Sequence, residues 1–162
     1  MYEETDMPAD QVRARVAEVL GFIGLGEKID SMPSELSGGQ RRRVAIARAM
    51  AASPGLLLFN DPTTGLDPIT ATTVDDEVVK LRDLERVTSL LVTHQIRDAH
   101  YVATHEAVRT NGRVEIRTAG AERAGFLVLH EGRILFEGTS ETLLASRDEY
   151  LKEFLFMTLP PW

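Results

Sequence analysis

Two short apolar runs flanking a helical stretch constrain this chain more than any other feature. Leu56-Leu57-Leu58-Phe59 lies between Ser53-Pro54-Gly55 and the polar Asn60-Asp61-Pro62, and Val87 to Thr93 is a second run of the same kind. Runs of about four to eight residues between turn formers suit strands covered on both faces, as in a parallel sheet. Between the two runs, Val74, Val78, Leu81 and Leu84 return at helical spacing over residues 70–84. Strand, helix, strand in that order predicts a βαβ unit, and therefore an α/β fold.

The flanking segments extend the pattern. Val12, Val16, Val19, Leu20 and Ile23 fall on one face of a helix over 10–23, with Asp10 as the expected N-cap. Gly24, Gly26, Pro33 and Ser34 break it, and an Ala- and Arg-rich helix is expected from Gly38 to Ala52. Another helix is expected from Gln95 to Thr104. Asn111-Gly112, between Val108 and Val114-Glu115-Ile116, is a hairpin signal. Phe126–Leu129 and Arg133–Phe136 flank His130-Glu131-Gly132 and predict a second hairpin. Short amphipathic helices over 140–146 and 148–156 follow, and Pro160-Pro161-Trp162 cannot extend a helix.

Composition removes several classes of function. The 162 residues contain no Cys, which excludes disulfides, thiolate metal sites and Cys nucleophiles. A formal charge of −7 is poor for a binder of nucleic-acid backbones. No apolar run approaches the ~18 residues of a membrane span, and the acidic N-terminus is unlike a signal peptide.

Ser37-Gly38-Gly39 precedes the second helix, with Ser37 as N-cap and two glycines leaving the first N–H groups uncovered. Such an end attracts anions, although Ser-Gly-Gly also simply starts helices. The wider context carries more. Leu36-Ser37-Gly38-Gly39-Gln40 followed by Arg41 to Ala49 resembles the signature motif and helix of ABC-type ATPases. The resemblance continues in order through Leu56–Phe59, Asn60-Asp61-Pro62, Thr64-Gly65-Leu66-Asp67 and Val92-Thr93-His94. In that family these are the Walker B strand, the catalytic carboxylate, the D-loop and the switch histidine. Within the family the chain is most similar to ATPase subunits of lipid-trafficking Mla/Mce-type systems. That finer likeness rests on Glu4-Thr5-Asp6-Met7-Pro8, Asp67-Pro68-Ile69-Thr70 and Leu151-Lys152-Glu153-Phe154-Leu155.

The resemblance implies a P-loop-type ABC ATPase fold, present in part, in which two nucleotide-binding subunits sandwich ATP and Mg²⁺. It implies that Ser37, Gly38, Gly39 and Gln40 contact ATP held by the partner, that Asp61 and His94 are catalytic, and that Asp67 signals across the dimer. Membrane permease subunits and a cytoplasmic, membrane-peripheral location follow from the same resemblance, and nucleic acid is not an expected partner. Arg41-Arg42-Arg43 is expected to be a solvated or structural helix face.

Three departures from the family pattern stand out. No G-x-x-x-x-G-K-[ST] phosphate loop occurs, since Gly21 to Gly26 lacks the Lys and follows a helix. The expectation is therefore a C-terminal portion, truncated or separately encoded. Asn60 replaces the metal-site Asp, and Asp61 replaces a catalytic Glu. Residues 105–125 look like a surface insertion. The expected division is 1–52 signature subdomain, 53–104 Walker B and switch core, 105–125 insertion, and 126–162 hairpin and helices. Alternatives are a non-catalytic module acting in trans and, less favoured, the C-terminal half of an SMC or DNA-repair ATPase. The latter needs a coiled-coil arm, and no heptad series is present.

Overall fold

The computed structural model describes residues 8–158. In chain order the elements are α1 (Ala9–Phe22), α2 (Gly38–Met50), β1 (Leu56–Asn60), α3 (Pro68–Leu84), β2 (Thr88–Val92), α4 (Ile96–Thr104), β3 (His105–Thr110), β4 (Arg113–Thr118), β5 (Phe126–His130), β6 (Arg133–Gly138), α5 (Ser140–Leu144) and α6 (Glu149–Thr158). Short 3₁₀ turns at Gly26–Lys28 and Pro33–Glu35 join α1 to α2.

The βαβ unit is present. β1 and β2 pair in parallel, from Leu56 opposite Thr88 to Asn60 opposite Val92, with α3 as the crossover. α3 begins before residue 70 because Asp67 accepts from the N–H groups of Ile69 and Thr70, and Pro68 supplies a pre-set first helical residue. Val74, Val78, Val79 and Leu81 of this helix are wholly buried. They share the main core with Val19, Leu20 and Ile23 of the α1 end, Ile46 and Met50 of α2, and Leu57 and Phe59 of β1. A second core gathers Ile96 and Ala103 of α4 with Phe126, Leu143, Leu151 and Leu155.

Three expectations need correction. Asp10 is not the cap of α1; Pro8 holds that position without a side-chain bond, and Asp10 lies in the first turn. There its charge still favours the positive end of the helix. The two parallel strands are not covered on both faces. Leu57 and Phe59 point into the core, whereas Leu56, Leu58, Leu90 and Val92 are more than half exposed. Strand side chains alternate, and α3 with the other core helices covers one face only among the described residues. The Gly21 to Gly26 string, by contrast, is a helix end, in keeping with its place after a helix in the sequence. Gly24 takes φ +68, and the N–H groups of Gly24 and Leu25 bond back to Gly21 and Leu20, a Schellman closure that favours Gly at that position.

The third correction concerns residues 105–125, which do not simply lie on the surface. β3 packs against α3, with Glu106 and Ala107 buried. Its Ala107 N–H donates to Asp83 (2.8 Å), while Arg82 donates to the carbonyls of Val102 and His105 (2.6 Å each). Glu106 is gripped by Arg117 (2.9 Å) and Arg123 (2.5 Å), and these bonds, Arg117's foremost, hold its carboxyl below the usual range. The hairpin itself forms as expected: Asn111 (φ 51) and Gly112 (φ 78) make a two-residue turn, as Glu131 and Gly132 do between β5 and β6. Residues Glu4 to Met7 and the Pro160-Pro161-Trp162 tail lie outside the described residues.

Arg82 joins α3 to both the end of α4 and the start of β3 through charged hydrogen bonds in a half-buried setting. Arg82→Met is expected to lower stability by about 2–4 kcal/mol. Urea unfolding should show this as a lower midpoint at unchanged slope.

Candidate nucleotide site

The N-terminus of α2 is closed by a reciprocal capping box. Ser37 Oγ accepts from the Gln40 N–H (3.2 Å), and Gln40 Oε1 accepts from the Ser37 N–H (2.9 Å). Gln40, expected as a nucleotide contact, therefore has its side-chain oxygen committed to the cap. As first-turn groups, the N–H groups of Gly38 and Gly39 have no intrahelical acceptor. Gly39 is buried, and a Cβ there would overlap the Thr70 methyl group, so only glycine lets α2 approach the start of α3 this closely. The three arginines that follow are structural. Arg41 donates to Leu36 O (2.6 Å), Arg42 to Thr64 O (3.4 Å) and Arg43 to Ile23 O (3.0 Å).

Asp67 uses its carboxylate within its own chain. Oδ1 accepts from Ile69 and Thr70 N–H (3.1 and 3.0 Å), and Oδ2 accepts from the Thr70 hydroxyl (2.5 Å). The hydroxyl bond, with the backbone bonds, holds its carboxyl below the usual range. Thr70 thus binds Asp67 through its hydroxyl and packs against Gly39 through its methyl, which locks the start of α3 to α2.

Asn60 ends β1 with an exposed side chain. Asp61 follows in the left-handed region (φ 44), with its N–H bonded to Val92 O (2.8 Å). Its Oδ1 lies 3.0 Å from His94 Nδ1 and accepts weakly from the His94 N–H (3.4 Å). The two residues expected to be catalytic are therefore in direct contact across 33 residues of sequence. Neither is bonded to the Ser37–Gln40 end among the described residues.

Sequence reasoning missed a buried polar cluster behind this pair. Thr63, 1% exposed, donates its hydroxyl to Asp98 Oδ2 and accepts from Gln95 Nε2 (3.2 Å). Asp98 Oδ1 accepts from Arg97 Nε and Nη2 (2.8 and 2.5 Å). Asp75 lies alongside, 1% exposed, 3.7 Å from Arg97 Nη2, and neither of its oxygens has a hydrogen-bond partner. Burial, helped by the Asp98 charge and opposed by Arg97, pushes the Asp75 carboxyl up to about 8. Tyr101, whose hydroxyl donates to Asp76 (2.7 Å), is likewise pushed up by burial. Helical spacing held the signal: Asp75 sits four residues after buried Ala71 and three before buried Val78.

The donors present do not make a magnesium site by themselves. Hard cations need several anionic oxygens, and Asn60 offers a neutral amide. Among the described residues no group of three or more His, Asp or Glu could hold a metal.

Comparison with known proteins bears on this arrangement. Residues 2–64 match the family model described as ABC transporter. The methionine import ATP-binding protein MetN of Carboxydothermus hydrogenoformans is 42% identical over 107 residues, which is 66% of this chain and 32% of that protein. MetN of Escherichia coli K12 is 43% identical over 113 residues, 68% of this chain and 32% of that protein. The chain thus spans about a third of the length of these curated relatives. The solved structure of cbiO1 from Clostridium perfringens, part of the ABC transporter complex cbiONQ, superposes with a TM-score of 0.70 at 24% identity. It covers 98% of this chain, which covers 55% of it. The fold is the α/β ABC ATPase fold. The expected likeness to lipid-trafficking ATPases gains no support from these relatives, which are methionine import proteins.

Two outcomes follow from the packing and the buried carboxyl. Gly39→Ala is expected to cost about 1–3 kcal/mol by overlap with Thr70, and Thr70→Ser, which removes the methyl but keeps the hydroxyl, should recover part of that loss in a denaturant double-mutant cycle. Asp75 keeps its proton in the folded chain to about pH 8 and loses it near 3.8 when unfolded. The folded state binds more protons in that interval, so this group's contribution is complete below about pH 3.8 and is lost as pH rises through 8. Asp75→Asn should therefore melt above wild type at about pH 8.5, with the difference shrinking as pH falls.

Proposed function

We infer that this chain, which carries part of an ABC transporter ATP-binding domain, supplies the signature-motif half of an ATP site whose phosphate loop comes from a second nucleotide-binding subunit. The observation that carries the reading is the Ser37-Gly38-Gly39 helix end, held rigid against the Asp67–Thr70 turn by the Gly39–Thr70 contact. Ser37 Oγ accepts from Gln40, so its hydroxyl proton stays available for a phosphate oxygen. The Gly38 and Gly39 N–H groups and the helix dipole supply the rest of an anion cradle.

His94 and Asp61 form the second part of the site. A neutral imidazole that gives its Nδ1 proton to Asp61 keeps a bare Nε2. The imidazolium can donate to Asp61 and to a phosphate oxygen at once, and this is the form suited to sensing γ-phosphate. Asp61 keeps Oδ2 free to orient an attacking water. It is one methylene shorter than the family's glutamate, and in-line attack tolerates little displacement. With the neutral Asn60 beside it, hydrolysis at this site is slow.

The remaining parts of the reading are at family level. No helix among the described residues is long and apolar enough to cross a membrane. Permease subunits and a place at the membrane's cytoplasmic face are parts of the reading that the likeness to ABC transporter proteins supports. Arg41, Arg42 and Arg43 are spent on carbonyls, which speaks against a nucleic-acid surface. The MetN relatives support import of a small solute such as methionine over lipid transport.

Calorimetric titration tests the half-site directly. The isolated chain should show no ATP binding tighter than about 100 μM. Mixed with a phosphate-loop-bearing subunit, it should form an ATP-dependent heterodimer in sedimentation, abolished by Gly38→Asp. Micromolar binding by the chain alone overturns the reading. In the heterodimer, Asn60→Asp with Asp61→Glu should raise hydrolysis by about 10²-fold.

A further inference from the structure

We propose that Thr63, Gln95 and Asp98 form a latch, buried at Thr63 and Asp98, that ties the 61–67 turn to the start of α4 and so positions the Asp61–His94 contact. Each partner of that contact is a near neighbour of a latch residue: Asp61 is two before Thr63, and His94 precedes Gln95. The contact itself is poorly placed to hold its own geometry. The His94 side chain is 67% exposed, and ion pairs so open to water contribute little. Asp61 also sits at positive φ, an arrangement that persists only where its surroundings enforce it.

The surroundings that enforce it are Thr63 and the groups around it. The Thr63 oxygen is used in both directions, donating to Asp98 and accepting from Gln95. Asp98 is 1% exposed and is held in turn by Arg97 through two nitrogens. A second tie reaches Gln95, whose N–H bonds to Thr93 Oγ1 (3.0 Å). The backbone bond from Asp61 N–H to Val92 O fixes the strand end. The Thr63 hydroxyl bonds to two residues of the 95–98 segment. Thr63, Gln95 and Asp98 are thus positioning residues: they touch neither Asp61 nor His94 through hydrogen bonds, and they act by fixing the two turns that carry them.

The importance of the Asp61–His94 contact in an ATP site rests on the function proposed above. The latch is measured without nucleotide, so failure of that reading and failure of the latch give separate results. The chain is used as it is, with Thr63→Val to remove both bonds at nearly constant volume and Thr63→Ser to restore the hydroxyl. Amide hydrogen exchange should show about tenfold loss of protection at Asp61 and His94 in Thr63→Val, with Val78 and Val79 of α3 unchanged. The imidazole nitrogen resonances of His94 should move toward those of a ring free of a carboxylate. Thr63→Ser should return both readouts to within about threefold of wild type. Gln95→Met, which deletes one bond of the latch, should give a smaller change in the same direction and serves if Thr63→Val does not fold. Unchanged protection at Asp61 and His94, equal loss at Val78 and Val79, or no rescue by serine would each overturn the proposal.

Discussion

Val74, Val78, Val79 and Leu81 of α3 are entirely excluded from solvent, and burying that helix on several sides sets the place of nearly everything else. β1, α1, α2 and β3 all contribute to the core around it. The hydrophobic term acts without direction, so the geometry has to come from polar groups at the edges of the contact. Asp67 caps the helix at one end, and Arg82 and Asp83 bind carbonyls and an N–H of α4 and β3 at the other. A helix fixed at both termini and buried between them is a rigid reference for the loops it joins.

That rigidity is what an ATP half-site would use. The turn before α3 carries Asp61 and Asp67, and the helix itself presents Thr70 to Gly39 at the signature end. Two chemically separate parts, an anion-binding helix end and a carboxylate–imidazole pair, are thereby referred to one element. Burying a helix so fully also puts Asp75 and Glu77 out of reach of water. Glu77 finds Lys80 at 2.9 Å, whereas Asp75 finds no hydrogen bond and holds its proton instead. A carboxyl without a donor in a nearly dry site is cheaper neutral than charged.

Much of the local structure was legible because its causes are local. Ser37 is an N-cap in the sequence as in space, and Asn111-Gly112 supplies the positive φ angles of a two-residue hairpin turn. The spacing of Val74, Val78 and Leu81 marked α3 correctly, while its true start required reading Asp67-Pro68 as cap and first residue. The strands were found but their surroundings were misjudged. An apolar run is the same whether one face or two are covered, and Leu58 and Leu90 are exposed here because the core helices all lie on the other side. Residues 105–125 were misjudged for the opposite reason, since a short polar-looking strand such as His105–Thr110 reveals nothing of the half-buried Arg82 and Asp83 that receive it.

By itself the sequence determined the order of elements, the parallel crossover, both hairpin turns, the cap of α2 and the ordered motifs that resemble ABC ATPases. Each of these depends on residue types within a few positions of one another, where backbone preference and periodicity act. Only the tertiary structure decided that Gly39 is needed for its contact with Thr70, that Arg41 to Arg43 clamp carbonyls, that Asp61 meets His94, and that Thr63 and Asp98 lie buried behind them. Most of those contacts join groups 20 to 35 residues apart. Their existence depends on how α3 is packed, and no local pattern encodes that.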